Sequence, residues 1–151
     1  MEDAMFVEGL SQTTHERLAT VREDAPLVDA AAQLARPEIT LVVVCRADGT
    51  LAGVISKTDV VRQIGRCQGS GCTVAASAVM TRDVTTCRPI DWLADVWGVM
   101  RDRGLKHIPV VDAAGRPVGV LHARDALQVL LDEVESEELL LRDYVLGVGY
   151  R

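Results

Sequence analysis

The segment Gly53-Val54-Ile55-Ser56-Lys57-Thr58-Asp59 puts a glycine-led apolar run directly before two hydroxyls and a carboxylate. If the run is a strand and Ser56 opens a helix, this helix start gathers groups suited to a nucleotide. Its free N–H groups and the positive end of the helix dipole suit a phosphate, with Ser56 and Thr58 as further donors. Asp59, one turn beyond Ser56, is placed to accept from a pair of ribose hydroxyls. The same letters have a second reading. Ser-x-x-Asp is also a capping box, in which serine and acid satisfy their own helix without any ligand. Farther along, Gly119-Val120-Leu121-His122-Ala123-Arg124-Asp125 brings back the glycine and the acid, with His122 in place of Ser56. A cap alone does not explain why the acid persists there, although packing or chance could.

These two segments belong to an internal repeat. An offset of 66 positions carries Thr20 to Asp59 onto Thr86 to Asp125 without a gap, pairing Leu27 with Leu93, Asp29 with Asp95 and Val44 with Val110. It also pairs Gly49 with Gly115, Gly53 with Gly119 and Val54 with Val120. So long a period is a whole supersecondary unit. Two units of roughly 60 residues, each too small to be comfortably stable by itself, imply an intramolecular pseudodimer.

The elements that position these motifs follow from local patterns. In the first copy Asp24-Ala25-Pro26 reads as a helix start, and Leu27, Ala30, Ala31 and Leu34 form one buried stripe. Leu41 to Cys45 is a β-branched run, Ala47-Asp48-Gly49 supplies a turn, Leu51 to Ile55 gives a second strand, and Ser56 to Asp59 opens another helix. The second copy repeats the order: strand Val84 to Thr86, Asp91 as a cap, and Leu93, Val96, Trp97 and Met100 at helical spacing. Then come His107 to Asp112, a turn at Ala114-Gly115, strand Val118 to Leu121, and a helix from about Asp125 to Leu131. Each copy reads as β-α-β-β-α, giving an α/β (α+β) chain. The divisions expected are an N-terminal extension 1–16, a first repeat 17–66, a linker 67–76, a second repeat 77–132 and an acidic, then apolar, tail 133–151. Met5, Phe6, Val7 and Leu10 suit a short packing segment, Trp92 and Trp97 suit packing, and the tail stretch Leu139 to Tyr150 needs a partner on its own body or on another subunit.

Composition removes several classes of function. Of 151 residues, 48% are hydrophobic and 25% charged, enough for a real core. Lys and Arg number 16 against 22 Asp and Glu, a net charge of -6, and aromatic residues make up 3%, so the basic field and stacking platforms of nucleic-acid binders are missing. Met1 to Met5 is acidic where a secretory signal is basic, and no apolar run approaches a membrane span of about 18 residues. A soluble, cytoplasmic protein without nucleic-acid or membrane partners is expected. Cys45, Cys67, Cys72 and Cys87 form no Cys-x-x-Cys pair and the chain's size does not call for disulfides; Cys45 reads as packing, while Cys67 and Cys72 lie in a glycine-rich linker. No nucleophile has a neighbouring base and no cluster has metal spacing, so no catalytic and no metal-binding residue is assigned.

The chain resembles the cystathionine beta-synthase (CBS) domain family, whose tandem pairs form a Bateman module. The resemblance rests on Gly53 to Asp59, on His107-Ile-Pro-Val-Val-Asp112, on Gly119 to Asp125 and on Val79-Met80-Thr81, and it covers about residues 15 to 132. It implies two units meeting through their sheets about a pseudo-twofold axis, with two clefts for AMP, ADP, ATP or another adenosyl compound and no required cofactor. One cleft would use Ser56, Thr58 and Asp59 with Ile39 and Thr40, closed by Thr86. The other would use Asp125 and Arg124 with Lys106, His107 and Ile108, closed by Thr20 and Ala25. Lys106 and His107 favour phosphate at the second cleft, His122 removes a hydroxyl there, and a monophosphate is the expected charge state. The plainer alternative is that His107 and His122 are ordinary surface histidines, the more common fate of that residue.

Two functions of different class follow. One is a stand-alone, homodimeric regulatory module that binds an adenine nucleotide and acts on a separate protein in trans. The other is a ligand-independent dimeric interaction protein that docks a partner through its C-terminal tail.

Overall fold

The computed structural model describes residues 5–67 and 73–146, with side chains described through residue 135. Cys72 and its glycine-rich neighbours, and the side chains of the apolar tail, lie outside the described residues.

In the first half, β1 (Thr20–Arg22) is followed by α2 (Leu27–Leu34), β2 (Leu41–Cys45), β3 (Leu51–Ser56) and α3 (Lys57–Cys67). Before them comes α1 (Ser11–Glu16), preceded by a 3-10 turn over Val7–Leu10. β2 is central, parallel to β1 and antiparallel to β3. The second half opens with the short α4 (Ala76–Val79) and continues with α5 (Leu93–Arg103), β4 (His107–Val111), β5 (Pro117–His122) and α6 (Ala123–Leu146). β4 and β5 form an antiparallel hairpin.

Three local expectations change. The strand expected at Val84 to Thr86 reduces to a single parallel bridge, in which the Cys87 N–H donates to Pro109 O at 3.0 Å and Val111 N–H to Cys87 O at 2.9 Å. Pro89 explains this, since it has no N–H to continue a ladder and restricts Arg88 before it. Asp91 does not cap α5: its carboxylate accepts from the Arg88 N–H at 2.8 Å, and Trp92 holds the cap position with no side-chain bond. Finally, α6 runs to Leu146 instead of stopping near Leu131. From Ala123 to Leu146 there is neither Gly nor Pro, so the acidic run that reads as a solvated break contains nothing to end a helix. Cys67 is disulfide-bonded, a bond the chain's size alone does not require, whereas Cys45 and Cys87 are free thiols.

Strand alternation builds three apolar layers. Val42, Val44 and Ile55 pack with Leu27, Ala30 and Leu34 of α2 in the first half, and Ile108, Val110 and Leu121 pack with Leu93, Val96 and Met100 of α5 in the second. The opposite strand faces meet at a seam of Leu41, Val43 and Val120. The two hairpin turns also meet, with Leu51 N–H donating to Gly115 O at 3.0 Å. Gly49 and Gly115 stand at φ of 90° and 85°, a left-handed backbone that disfavours any side chain, which accounts for that repeated pair.

The leading segments are exchanged. Thr81, just after α4, pairs with Val54 of β3, while Thr14 of α1 sits over Gly119 of β5. A Cβ on Gly53 would lie 2.6 Å from Thr81 O, and one on Gly119 would lie 2.6 Å from Thr14 Oγ1 and 2.9 Å from the Thr14 carbonyl carbon. The glycines at 53 and 119 therefore admit the other half's leading chain. Residues 5–16, expected as an N-terminal extension with a short packing segment, are built into this arrangement: Val7 is buried in the second core and its N–H donates to Asp91 O at 2.9 Å.

Candidate functional site

At the start of α3 the capping box is closed. The Ser56 N–H donates to Asp59 Oδ2 at 2.9 Å, and the Asp59 N–H donates to Ser56 Oγ at 3.2 Å. The other carboxylate oxygen lies 3.6 Å from Arg62 on the same helix. Both readings of Ser-x-x-Asp nevertheless stay alive, because Ser56 and Asp59 also line a crevice of about 250 Å³ between the halves. Its apolar wall comes from Leu41 and Val54 of the first half and Val84, Leu105 and Pro109 of the second, and its polar wall adds Thr81, Asp83, Thr85 and His107. Burial, reinforced by neighbouring Lys106, holds the His107 imidazole below its ordinary pKa, so it is neutral at pH 7. Among the described residues the lining thus contains two carboxylates and no cationic side chain.

At the start of α6 the equivalent acid is already engaged. Arg17 Nε donates to Asp125 Oδ2 at 2.7 Å and Arg17 Nη2 donates to Oδ1 at 3.3 Å, a two-pronged contact between mostly buried side chains. His122, in the serine's place, has its Nε2 3.1 Å from Thr40 Oγ1 of the first half and its ring 5.9 Å from that of His107. Burial above all, with the nearby Arg17 guanidinium next, pushes the His122 pKa down to about 4, although Asp125 opposes this. The neutral ring and Thr40 tie the halves together across the place where the serine hydroxyl would be.

The structure regroups the expected residues. Ser56, Asp59 and His107 come together at the first crevice, and Thr40 faces His122 instead. Thr58 is exposed and is not among the crevice-lining residues. Ile39 and Ile108 are core residues, 0% and 1% exposed. Lys106 and Arg124 line a surface groove with Trp97 and Arg101. Thr20 and Ala25 line a separate depression with Asp29, and Thr86 lines another with Asp91 and Asp95. Sequence reasoning missed Arg17 and Asp83. The offset of 66 maps one onto the other, but the ungapped match that reveals the repeat begins only at Thr20.

Comparison with known proteins places this geometry. The family model for the CBS domain matches twice, at residues 10–66 and 76–132. Among solved structures, a CBS-domain containing protein from Agrobacterium tumefaciens is similar at 26% identity and a TM-score of 0.68, covering 83% of this chain and 92% of that one. The CBS domain pair of protein MJ0100, in complex with 5′-methylthioadenosine and S-adenosyl-L-methionine, has the same fold at 20% identity and a TM-score of 0.70, covering 87% and 99%. CBSX2 in complex with AMP also shares the fold, at 21% identity and a TM-score of 0.66, covering 82% and 96%. An uncharacterized 17.7 kDa protein of Acidianus ambivalens is 22% identical over 82% of this chain and 73% of its own length. A homoserine O-acetyltransferase of Methanohalophilus mahii is 27% identical over 70% of this chain, but the match spans only 21% of the acetyltransferase. Among the described residues no helix is long and apolar enough to cross a membrane.

Proposed function

The chain belongs to the CBS domain family, and from that premise we propose that it is a regulatory module binding an adenine nucleotide or related adenosyl ligand at the start of α3. The observation that carries the proposal is the crevice in which Ser56 and Asp59 of one half face Thr81, Thr85 and His107 of the other. An ionised carboxylate offers about four lone-pair sites. Asp59 spends one on the Ser56 N–H and has Arg62 3.6 Å from its other oxygen, which still leaves acceptors for two ribose hydroxyls. Leu41, Val54, Val84, Leu105 and Pro109 supply an apolar slot for a base, and Thr81 and Thr85 supply hydroxyl partners. The relatives seen with AMP or with 5′-methylthioadenosine support the ligand class. At α6, the Arg17 fork on Asp125 fills the acceptor that a second ligand would need.

A ligand wedged between the halves changes their relative stability in whichever arrangement it prefers, and thereby shifts populations. Regulation of a separate protein in trans, by a homodimer, completes this reading. Its test is thermal unfolding of the full chain with millimolar AMP, ADP, ATP and 5′-methylthioadenosine. A ligand held only by the folded state raises the melting temperature by mass action. The expected result is a rise with at least one compound that Asp59→Ala abolishes; no rise with any of them would defeat the proposal.

The ligand-independent reading draws on a different observation. Val61 and Ile64 on α3 are 68% and 59% exposed, and Leu131 and Val134 on α6 are 47% and 57% exposed. Apolar side chains so open suit a subunit contact. Light scattering of Val61→Ser/Ile64→Ser separates the readings, since that reading predicts a change in assembly state with no dependence on Asp59.

A further inference from the structure

Resting on the reading of the α3 crevice as an adenosyl site, we infer that this site selects adenosyl compounds carrying no phosphate, neutral or cationic at the 5′ position, and that Asp83 sets the preference. Three observations converge. First, the lining holds the carboxylates of Asp59 and Asp83 and no Lys or Arg, and its histidine is neutral. Arg62, 3.6 Å from Asp59 Oδ1, offsets that acid, but a phosphate at the rim would be brought beside the like charge of Asp83. Second, two of the N–H groups at the helix start are committed within the capping box. The Ser56 N–H goes to Asp59 and the Asp59 N–H to Ser56 Oγ, while Thr58 and Lys57 are exposed and are not among the crevice-lining residues. Third, at about 250 Å³ the crevice is below the roughly 300–1,000 Å³ usual for small-molecule sites, which disfavours a triphosphate tail.

Asp83 acts here as a specificity residue. It is exposed at the rim, on the segment that the second half lays over β3, so its charge meets the ligand's 5′ substituent without being needed for the ribose or the base. Its repeat equivalent is Arg17, so the segment laid over each helix start delivers an acid at α3 and a base at α6.

The test is calorimetric titration of the full chain with 5′-methylthioadenosine, S-adenosylmethionine, AMP and ATP, repeated with Asp83→Asn. The expected order is 5′-methylthioadenosine and S-adenosylmethionine tighter than AMP by at least about fivefold, with ATP weakest. Asp83→Asn should tighten AMP about three- to fivefold, leave 5′-methylthioadenosine unchanged and weaken S-adenosylmethionine. AMP or ATP binding as tightly as 5′-methylthioadenosine to the native chain would overturn the inference while leaving the adenosyl site standing. An unchanged ratio of AMP to 5′-methylthioadenosine in a folded Asp83→Asn chain would remove Asp83 as its cause. Binding of none of the four would defeat the adenosyl reading itself, and the inference with it.

Discussion

At the start of α3 the repeated aspartate accepts from the backbone of its own helix, whereas at the start of α6 its counterpart is forked by a guanidinium from the far end of the chain. The strands before them are equivalent, the glycines before them are equivalent, and each is overlaid by the other half's leading segment. What differs is the side chain which that segment delivers, Asp83 in one case and Arg17 in the other, together with the exchange of Ser56 for His122. Duplication preserved the backbone that makes the two niches. Substitution at two positions then left one niche open and acidic and filled the other with an internal ion pair. Equivalence of fold in a repeat is therefore no guarantee of equivalence of chemistry.

The largest expected effect tests the feature the two halves share. Gly53→Ala places a methyl 2.6 Å from a backbone oxygen, and Gly119→Ala places one 2.6 Å from a side-chain oxygen and 2.9 Å from backbone. Each should lower stability by roughly 2–3 kcal/mol in denaturant unfolding, with Gly53→Ala the worse, as overpacking against main chain requires. A neutral Gly119→Ala would show that Thr14 does not seat against β5, and the exchange of segments would lose its symmetry.

A smaller effect separates the two acids. Asp125→Asn breaks a charge-assisted fork between side chains 26% and 20% exposed and should cost about 1.5–2 kcal/mol, whereas Asp59→Asn should cost about 1 kcal/mol as a weakened cap. Ligand-dependent stabilisation should rank them the other way, being lost with Asp59→Asn and kept with Asp125→Asn. Equal behaviour of the two variants in both measurements would erase the distinction between the helix starts.

The smallest effect is in pH dependence. His122 is held at a pKa of about 4 in the folded chain, below its ordinary 6.5, so between these values the unfolded chain binds more protons and stability rises with pH. That contribution is whole above pH 6.5 and declines as pH falls toward 4; His107 acts in the same direction. Melting temperature followed from pH 7 to pH 4 should fall less steeply in His122→Asn than in the native chain. Ser56, at the equivalent position, has no such proton to gain, and Ser56→Ala should leave the slope intact. A His122→Asn slope identical to the native one would mean that the imidazole is not buried against Arg17 and Thr40.

Much of this architecture is legible from residue order because it depends on local backbone demands. The positive φ of Gly49 and Gly115 and the crowding at Gly53 and Gly119 force repeated letters, and helical spacing marks Leu27, Ala30 and Leu34 as well as Leu93, Val96 and Met100. The extent of α6 was hidden because a charged run and a missing breaker point in opposite directions. The strand expected at Val84 to Thr86 is only a bridge at Cys87, because Pro89 two residues on cannot continue the ladder. The site was legible only in its helix start. Arg17 and Asp125 are separated by 108 positions, so nothing in their spacing announces an ion pair. Asp83 and Arg17 lie just upstream of the ungapped match that starts at Thr20 and Thr86, where the matching letters have opposite charge and so register as a loss of similarity.

Calorimetric titration of the native chain, Asp59→Ala and Asp125→Ala with 5′-methylthioadenosine and AMP addresses the difference between the helix starts most directly. The expected result is one equivalent bound per chain, abolished in Asp59→Ala and retained in Asp125→Ala. Two equivalents in the native chain, or binding lost in Asp125→Ala and retained in Asp59→Ala, would contradict an open site at α3 and an ion-paired one at α6.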